Sequence, residues 1–304
     1  MLSPATERLW GFLKDQSTLT GFVLIGGSAL SLRIHHRLSE DLDFAWPGDR
    51  LPRESIQALL GEMSRHGFSY TRRDNPAAYD EFLQGGGSLH DYQQDFVVDG
   101  AVLLTLFAPD PPTRRLFDPA TPHVTGPRLA TLRECFNTKA LASSERNQSR
   151  DWLDLYLLIK SHGFTLDDYR AAFERAGASG QFDRGLTHLC RCQPGANDRG
   201  YNTLLADPPT FQEIAAQFTA WRDDYEVGQA SLLASKLKEH AGTDLYDLAY
   251  AKLVGGSEED LRFVATLASQ KRLDPVQMAA RIDQTQEPGL RTLLKSRWLH
   301  LPVA

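Results

Sequence analysis

The sequence predicts an α+β fold, with a small mixed β-sheet core and a largely helical C-terminal part. Three observations predict it. Short apolar runs of strand character fall before residue 110. From about residue 128 the apolar residues recur at helical spacing. Between the two regimes lies the proline-rich passage PDPPTRRLFDPATPHVTGP, which ends the strand region. Strands early and helices late is the order of an α+β protein. The division expected is 1–117 for the sheet core and 118–304 for the helical domain.

Each element has its own local reason. Residues 5–16 place Leu9, Trp10 and Leu13 on one helical face. GFVLIGG is a short apolar strand ending in glycines, and SALSLRI after it is a helix with Ser28 at or near its N-cap. DLDFAW reads as a second strand. PRESIQALLGEMSRHG is an amphipathic helix from Pro52 to Gly67. FSYTRRD reads as a third strand, and QDFVVDGAVLLTLFAP as two strands joined in a hairpin at Asp99–Gly100. PRLATLRECFNTKALASSE and SRDWLDLYLLIKSHG are two helices, TLDDYRAAFERAG a third with a threonine cap, and TFQEIAAQFTAWRDDYEV a fourth. The tail from Thr243 to His300 adds three or four more.

The totals narrow the class. The chain has 304 residues, 41% hydrophobic and 24% charged, so a sizeable core can be buried. A net charge of −6 gives no support to nucleic-acid binding through bulk charge, although a local basic face is compatible with it. Three cysteines make no disulfide framework. No signal peptide and no membrane-length apolar run is evident, so a cytoplasmic protein without a membrane partner is expected. His188, Cys190 and Cys192 in HLCRC lack a fourth ligand at zinc spacing and read as plain thiols. QGGGSLHD, residues 84–91, lacks the Gly-Lys-Ser/Thr ending of a phosphate-binding loop and reads as a mobile hairpin or lid.

One segment carries chemistry: IGGSALSLRIHHRLSEDLDF, Ile25 to Phe44. Residues i and i+2 of a strand face the same side, so Asp41 and Asp43 project together. Two adjacent carboxylates repel, and a hard divalent cation removes that cost. Gly26 and Gly27 let backbone approach a ligand, and the helix that follows offers free N–H groups to an anion. Ser28 adds a hydroxyl. Phosphate on the turn and metal on the aspartates suit a nucleoside triphosphate.

This segment resembles the first motif of the DNA polymerase-β-type nucleotidyltransferases, and more narrowly that of the AbiEii/AbiGii toxin family. The resemblance implies a nucleotidyltransferase core and Mg²⁺-dependent transfer (Mn²⁺ as the substitute) of a nucleoside monophosphate from an NTP to an acceptor hydroxyl. Relatives include toxins of toxin–antitoxin and phage-defence systems, some acting on tRNA 3′ ends. It thus implies RNA as acceptor and a cognate antitoxin as partner.

It also assigns residues. Asp41 and Asp43 would hold the metal, and Gly26, Gly27, Ser28 and Arg37 would face the triphosphate. His36–Arg37 matches the family's H-R pair, and a structural cap at that helix end is the competing reading. TKALASSERNQSRDWLDLYLL is similar to the family's downstream lysine–aspartate motif, with Ala140 where the family often has leucine. Lys139 and Asp154 become the catalytic pair. Lys139 would act as a charge on the triphosphate, and Asp154 would bind metal or orient Lys139. Arg150 belongs with the NTP-binding set or, with Asp151, braces the helices. Many relatives carry a third acid on a later strand, where this chain has Thr105, so one metal or two is left open. Lys252 and Asp260 resemble a second lysine–acid unit, favoured as a helical structural pair, with replacement of Lys139 and Asp154 as the runner-up. Two other functions are left open: an antibiotic-type small-molecule nucleotidyltransferase, and a catalytically silent nucleotide- or partner-binding module.

Overall fold

The computed structural model describes residues 1–118, 125–239 and 244–301. Residues 119–124 of the proline-rich passage and Thr243 lie outside them. The chain divides into two compact units, Met1–Thr219 and Ala220–Ala304, with the boundary inside one helix.

The first unit opens with helix α1 (Pro4–Leu13), capped by Ser3, whose side chain accepts from the Thr6 N–H. Strand β1 (Val23–Ile25) runs into α2 (Gly26–Ile34), then β2 (Leu42–Ala45) and α3 (Arg53–Arg65). After β3 (Tyr70–Arg72) comes α4 (Pro76–Gln84), a helix beyond those expected, started by an Asn75 cap and a proline in its first turn. It is followed by the Gly85–Ser88 loop and a 3₁₀ turn over Leu89–Asp91. Strands β4 (Gln93–Val98) and β5 (Val102–Phe107) form the expected hairpin, and both Asp99 and Gly100 have positive φ.

The short helix α5 (Pro111–Arg114) precedes β6 (Arg128–Leu129). Here the expected helix over 127–145 needs correction. Its first residues pair in parallel with β1, through Arg128 N–H to Phe22 O at 3.0 Å and Ala130 N–H to Leu24 O at 2.9 Å. The helix itself, α6 (Leu132–Glu145), starts only after the Thr131 cap. Helices α7 (Ser149–His162), α8 (Leu166–Ala176) and α9 (Phe182–Arg191) follow, with α6 packed against all three. The threonine cap expected for the third of these is Thr165, in a capping box with Asp168.

The sheet is mixed and six-stranded, in the order β3-β4-β5-β2-β1-β6. Its alternation fixes two faces. Leu42 and Phe44 of β2, Leu104 and Leu106 of β5, and Phe96 and Val98 of β4 share the buried face. Trp10 of α1 lies on that side, its ring 6.3 Å from that of Phe44. Asp43, Thr105 and Asp95 stand in register with one another on the other, more open face.

Helix α10 (Phe211–Glu239) crosses the unit boundary. Four further helices, α11 (Leu245–Gly255), α12 (Glu258–Ser269), α13 (Pro275–Asp283) and α14 (Pro288–Leu299), complete the second unit. They share a core that includes Leu253, Leu267, Met278, Ile282 and Leu294. No described helix is long and apolar enough to cross a membrane.

Glu134 joins β6 to α6. Its carboxylate accepts from Arg128 at 2.6 and 2.8 Å, from the Asp118 N–H at 2.7 Å and from the Thr131 N–H at 2.7 Å. Burial would push its pKa up, but Arg128 and the two N–H groups hold it below the ordinary glutamate value. Glu134→Ala strands a buried arginine and should cost about 3–5 kcal/mol in urea unfolding. Glu134→Gln keeps part of the hydrogen bonding and should cost roughly half of that.

Candidate active site

Two consecutive helices and a stretch more than a hundred residues before them meet around one buried carboxylate. Asp154 of α7 is 0% exposed. Arg37 grips it with Nε at 2.8 Å and Nη2 at 3.0 Å, His36 Nε2 lies at 2.8 Å, and Lys139 Nζ of α6 at 2.8 Å. Lys139 also donates to Asp151 at 2.6 Å, and Arg146 Nε reaches Asp151 at 2.9 Å. Burial would raise the pKa of Asp154, but Lys139, Arg37 and His36 hold it well below the carboxylate range. Burial would likewise lower Lys139, yet Asp151 and Asp154 keep it above the ordinary lysine value and charged. Burial lowers His36, so it is neutral at neutral pH.

This network sets the geometry of the opening segment. Gly27 is there because Arg37 passes over it: a Cβ at that position would stand 2.5 Å from Arg37 Nη2. Gly26 has φ +71°, and a Cβ there would stand 3.0 Å from Asp43 Oδ2. Ser28, 2% exposed, donates to the Asp41 carbonyl and accepts from the Ser39 hydroxyl at 2.9 Å. Its hydroxyl therefore fastens α2 to the chain entering β2. The first-turn N–H groups of α2 have no intrahelical carbonyl to satisfy them and no side-chain cap.

The aspartate pair stands at the edge of this packed interior. Among the described residues, Asp43 has neither a hydrogen bond nor an ion pair. Burial first, and then the nearby charge of Asp41, push its pKa up to about 6, against the opposing fields of Arg146 and Lys139. Among the described residues, the Asp41 carboxylate pairs with one side chain, that of Arg199, at 3.0 Å. An unpaired, half-buried carboxylate beside a second one fits a hard divalent cation. Two carboxylates, with water and substrate oxygens completing the shell, is the usual arrangement for Mg²⁺. No group of three or more His, Cys, Asp or Glu side chains among the described residues converges on a metal position.

The structure thus brings Gly26, Gly27, Ser28, Arg37, Asp41, Asp43, Lys139 and Asp154 into one connected site. Arg37 and Lys139 are only 3% and 6% exposed and are turned onto Asp154 rather than outward. Arg150 braces: it donates to the Gly200 carbonyl at 2.9 Å and pairs with Glu40 at 3.3 Å. Lys252 and Asp260 pair with each other at 2.6 Å inside the second unit, where Asp260 completes the capping box of α12 with Ser257. In the HLCRC stretch, His188 Nδ1 lies 2.8 Å from the Ser143 carbonyl, and the buried Cys192 thiol lies 3.1 Å from the Leu189 carbonyl.

Asp95 and Arg199 carry no signal in the sequence, and Arg146 falls at a matching place in the downstream motif without an assigned role. Arg146 and Arg199 have side chains 59% and 53% exposed and bear on Asp43 and Asp41. Asp95 faces Thr105 across the β4–β5 ladder, with Oδ1 buried and without a hydrogen-bond partner. Only the fact that Arg146 sits seven residues after Lys139 in the motif was a usable signal.

The sequence profile described as "Nucleotidyl transferase AbiEii toxin, Type IV TA system" matches residues 9–234. The uncharacterized protein aq_aa25 of Aquifex aeolicus (strain VF5) is 27% identical over 148 residues, covering 48% of this chain and 62% of that protein. The match therefore spans less than two thirds of this curated relative. A solved structure described as a candidate nucleotidyltransferase from H. pylori aligns with TM-score 0.41 and 18% identity, covering 79% of this chain and 97% of that one.

The two kinds of carboxylate predict opposite mutational outcomes. Asp154→Ala leaves Arg37 buried without its counter-charge and Lys139 with Asp151 alone, and should cost about 3–5 kcal/mol in chemical unfolding. Asp43 binds its proton more tightly folded than unfolded, so its contribution to stability falls as pH rises from about 4 towards 6. Asp43→Asn should therefore stabilise the fold at pH 7.5, by about 1–2 kcal/mol. Equal destabilisation by the two substitutions would contradict this assignment.

Proposed function

The chain belongs to the AbiEii nucleotidyltransferase toxin family, and on that premise we propose that it moves a nucleoside monophosphate from an NTP to an acceptor hydroxyl, with Mg²⁺. The observation that carries the reading is the unpaired Asp43 carboxylate, set beside Asp41 at the N-terminal end of α2. A divalent cation held by Asp41 and Asp43 would supply Lewis-acid stabilisation of charge on the phosphate oxygens.

The chain's own residues do the rest. The first-turn N–H groups of α2 receive phosphate oxygens. Arg146, exposed and within the field of Asp43, counters charge on the departing pyrophosphate. Lys139 acts from inside, as a fixed positive charge behind Asp43, and Asp154 keeps it charged and oriented. Gly27, Ser28 and Arg37 support the turn. The acceptor oxygen attacks the α-phosphorus, the bond to pyrophosphate breaks, and the hydroxyl proton passes to solvent water. RNA, with a tRNA 3′ end as the specific case, is the acceptor we favour, and the chain acts as a toxin restrained by an antitoxin. The family's toxin–antitoxin membership supports that last step.

Incubation with each labelled NTP, Mg²⁺ and total RNA should label RNA, and Asp43→Ala should abolish it. Absence of transfer by the wild type to RNA with any NTP would refute the RNA reading. Expression in a host without antitoxin should arrest growth, with Asp43→Ala harmless. Mg²⁺ should raise the melting temperature of the wild type but not of Asp43→Asn, and this shift should fade as pH falls through about 6, where Asp43 takes up its proton.

A further inference from the structure

Arg199 comes to the site from 158 residues beyond Asp41, on a segment without regular structure. That segment is nevertheless clamped on both sides of it. Asp198 Oδ1 accepts the Ser149 N–H at 3.0 Å, at the start of α7. Asp198 Oδ2 accepts the Gly200 N–H at 3.2 Å, and Arg150 Nε donates to the Gly200 carbonyl at 2.9 Å. Gly195 N–H bonds the Asn147 carbonyl at 3.0 Å, and the Leu204 carbonyl accepts the Leu38 N–H at 2.8 Å. Tyr201 is buried immediately after. The backbone of residue 199 is thus held against the same α7 that supplies Asp154. Its side chain is half exposed and ends 3.0 Å from Asp41 Oδ2.

An exposed ion pair of this kind is weak and exchanges readily for a better partner. Asp41 is one of the two carboxylates that suit a divalent cation. A cation bound there would take over Asp41 and release a guanidinium that is tethered at the mouth of the site. Guanidinium groups bind phosphate oxygens in a planar, two-pronged fashion. We infer that Arg199 is a nucleotide-positioning residue: it balances Asp41 while the site is empty and turns onto the triphosphate when the divalent ion arrives. This rests on the nucleotidyltransferase reading above and adds to it a residue for substrate binding.

The inference predicts effects of opposite sign from one substitution. In titrations of the full chain with Mg²⁺ alone, Arg199→Ala should bind the ion more tightly than wild type, by about threefold, because a competing cation is gone. With Mg²⁺ present, binding of α,β-methylene NTP analogues should weaken by roughly tenfold, the loss of one charge-assisted hydrogen bond. Arg199→Lys keeps the charge without the fork and should fall between the two. Unchanged affinities for both ligands would overturn the inference, and so would weaker binding of both, which marks Arg199 as a brace for its own loop. If neither wild type nor variant binds Mg²⁺ or any analogue, the nucleotidyltransferase reading falls first and the inference with it.

Discussion

The first unit is organised around the charge cluster at Asp154. A carboxylate with no contact with solvent is tolerable only when fully paired, and here its partners come from the α2–β2 connection and from α6. To satisfy Asp154, His36 and Arg37 must lie against α7, and Lys139 must enter from α6. That requirement fixes the path of the chain between α2 and β2, and with it where Asp41 and Asp43 emerge. The cluster also carries an excess of positive charge. Lys139, Arg37 and Arg146 outnumber Asp151 and Asp154, and part of the surplus acts on Asp43.

The molecule therefore separates saturated from unsaturated electrostatics. Inside, each carboxylate has its cations, and the pKa values of Asp151 and Asp154 are depressed. At the open face of the sheet, Asp43 is left alone and raised. The two conditions depend on each other. An unpaired carboxylate persists because the interior around it holds it in place, and it is at such a point that a ligand has most to offer. Asp95 repeats the pattern more mildly on the same face, raised by burial although Gln93 and Thr105 oppose it.

What the sequence made legible was local. The turn at Asp99–Gly100, the Thr165 cap and the Asp41/Asp43 pair depend on neighbours within a few residues, and each could be read directly. The pairing of Lys139 with Asp154 was readable as a motif, but their depth was not, because depth depends on Arg37 and His36, more than a hundred residues earlier. β6 was missed because two residues acquire strand character only by lying beside β1, and nothing in their own types announces it. α4 had its signals in Asn75–Pro76 and in Tyr79, Phe82 and Leu83 at helical spacing, yet none of its residues is buried. Asp95 and Arg199 belong to the site through strand register and a clamped loop, and neither relation leaves a local trace.

Gly27 has a consequence for how such chains descend from one another. Its missing side chain makes room for Arg37, a member of the interior, so the glycine is retained for folding whether or not the chemistry survives. A descendant that had lost catalysis would keep the glycine turn and the arginine beneath it, and would drift first at Asp43, whose charge the fold does not need. Active and silent lineages are then told apart by the second aspartate, while the more conspicuous glycines are blind to the difference.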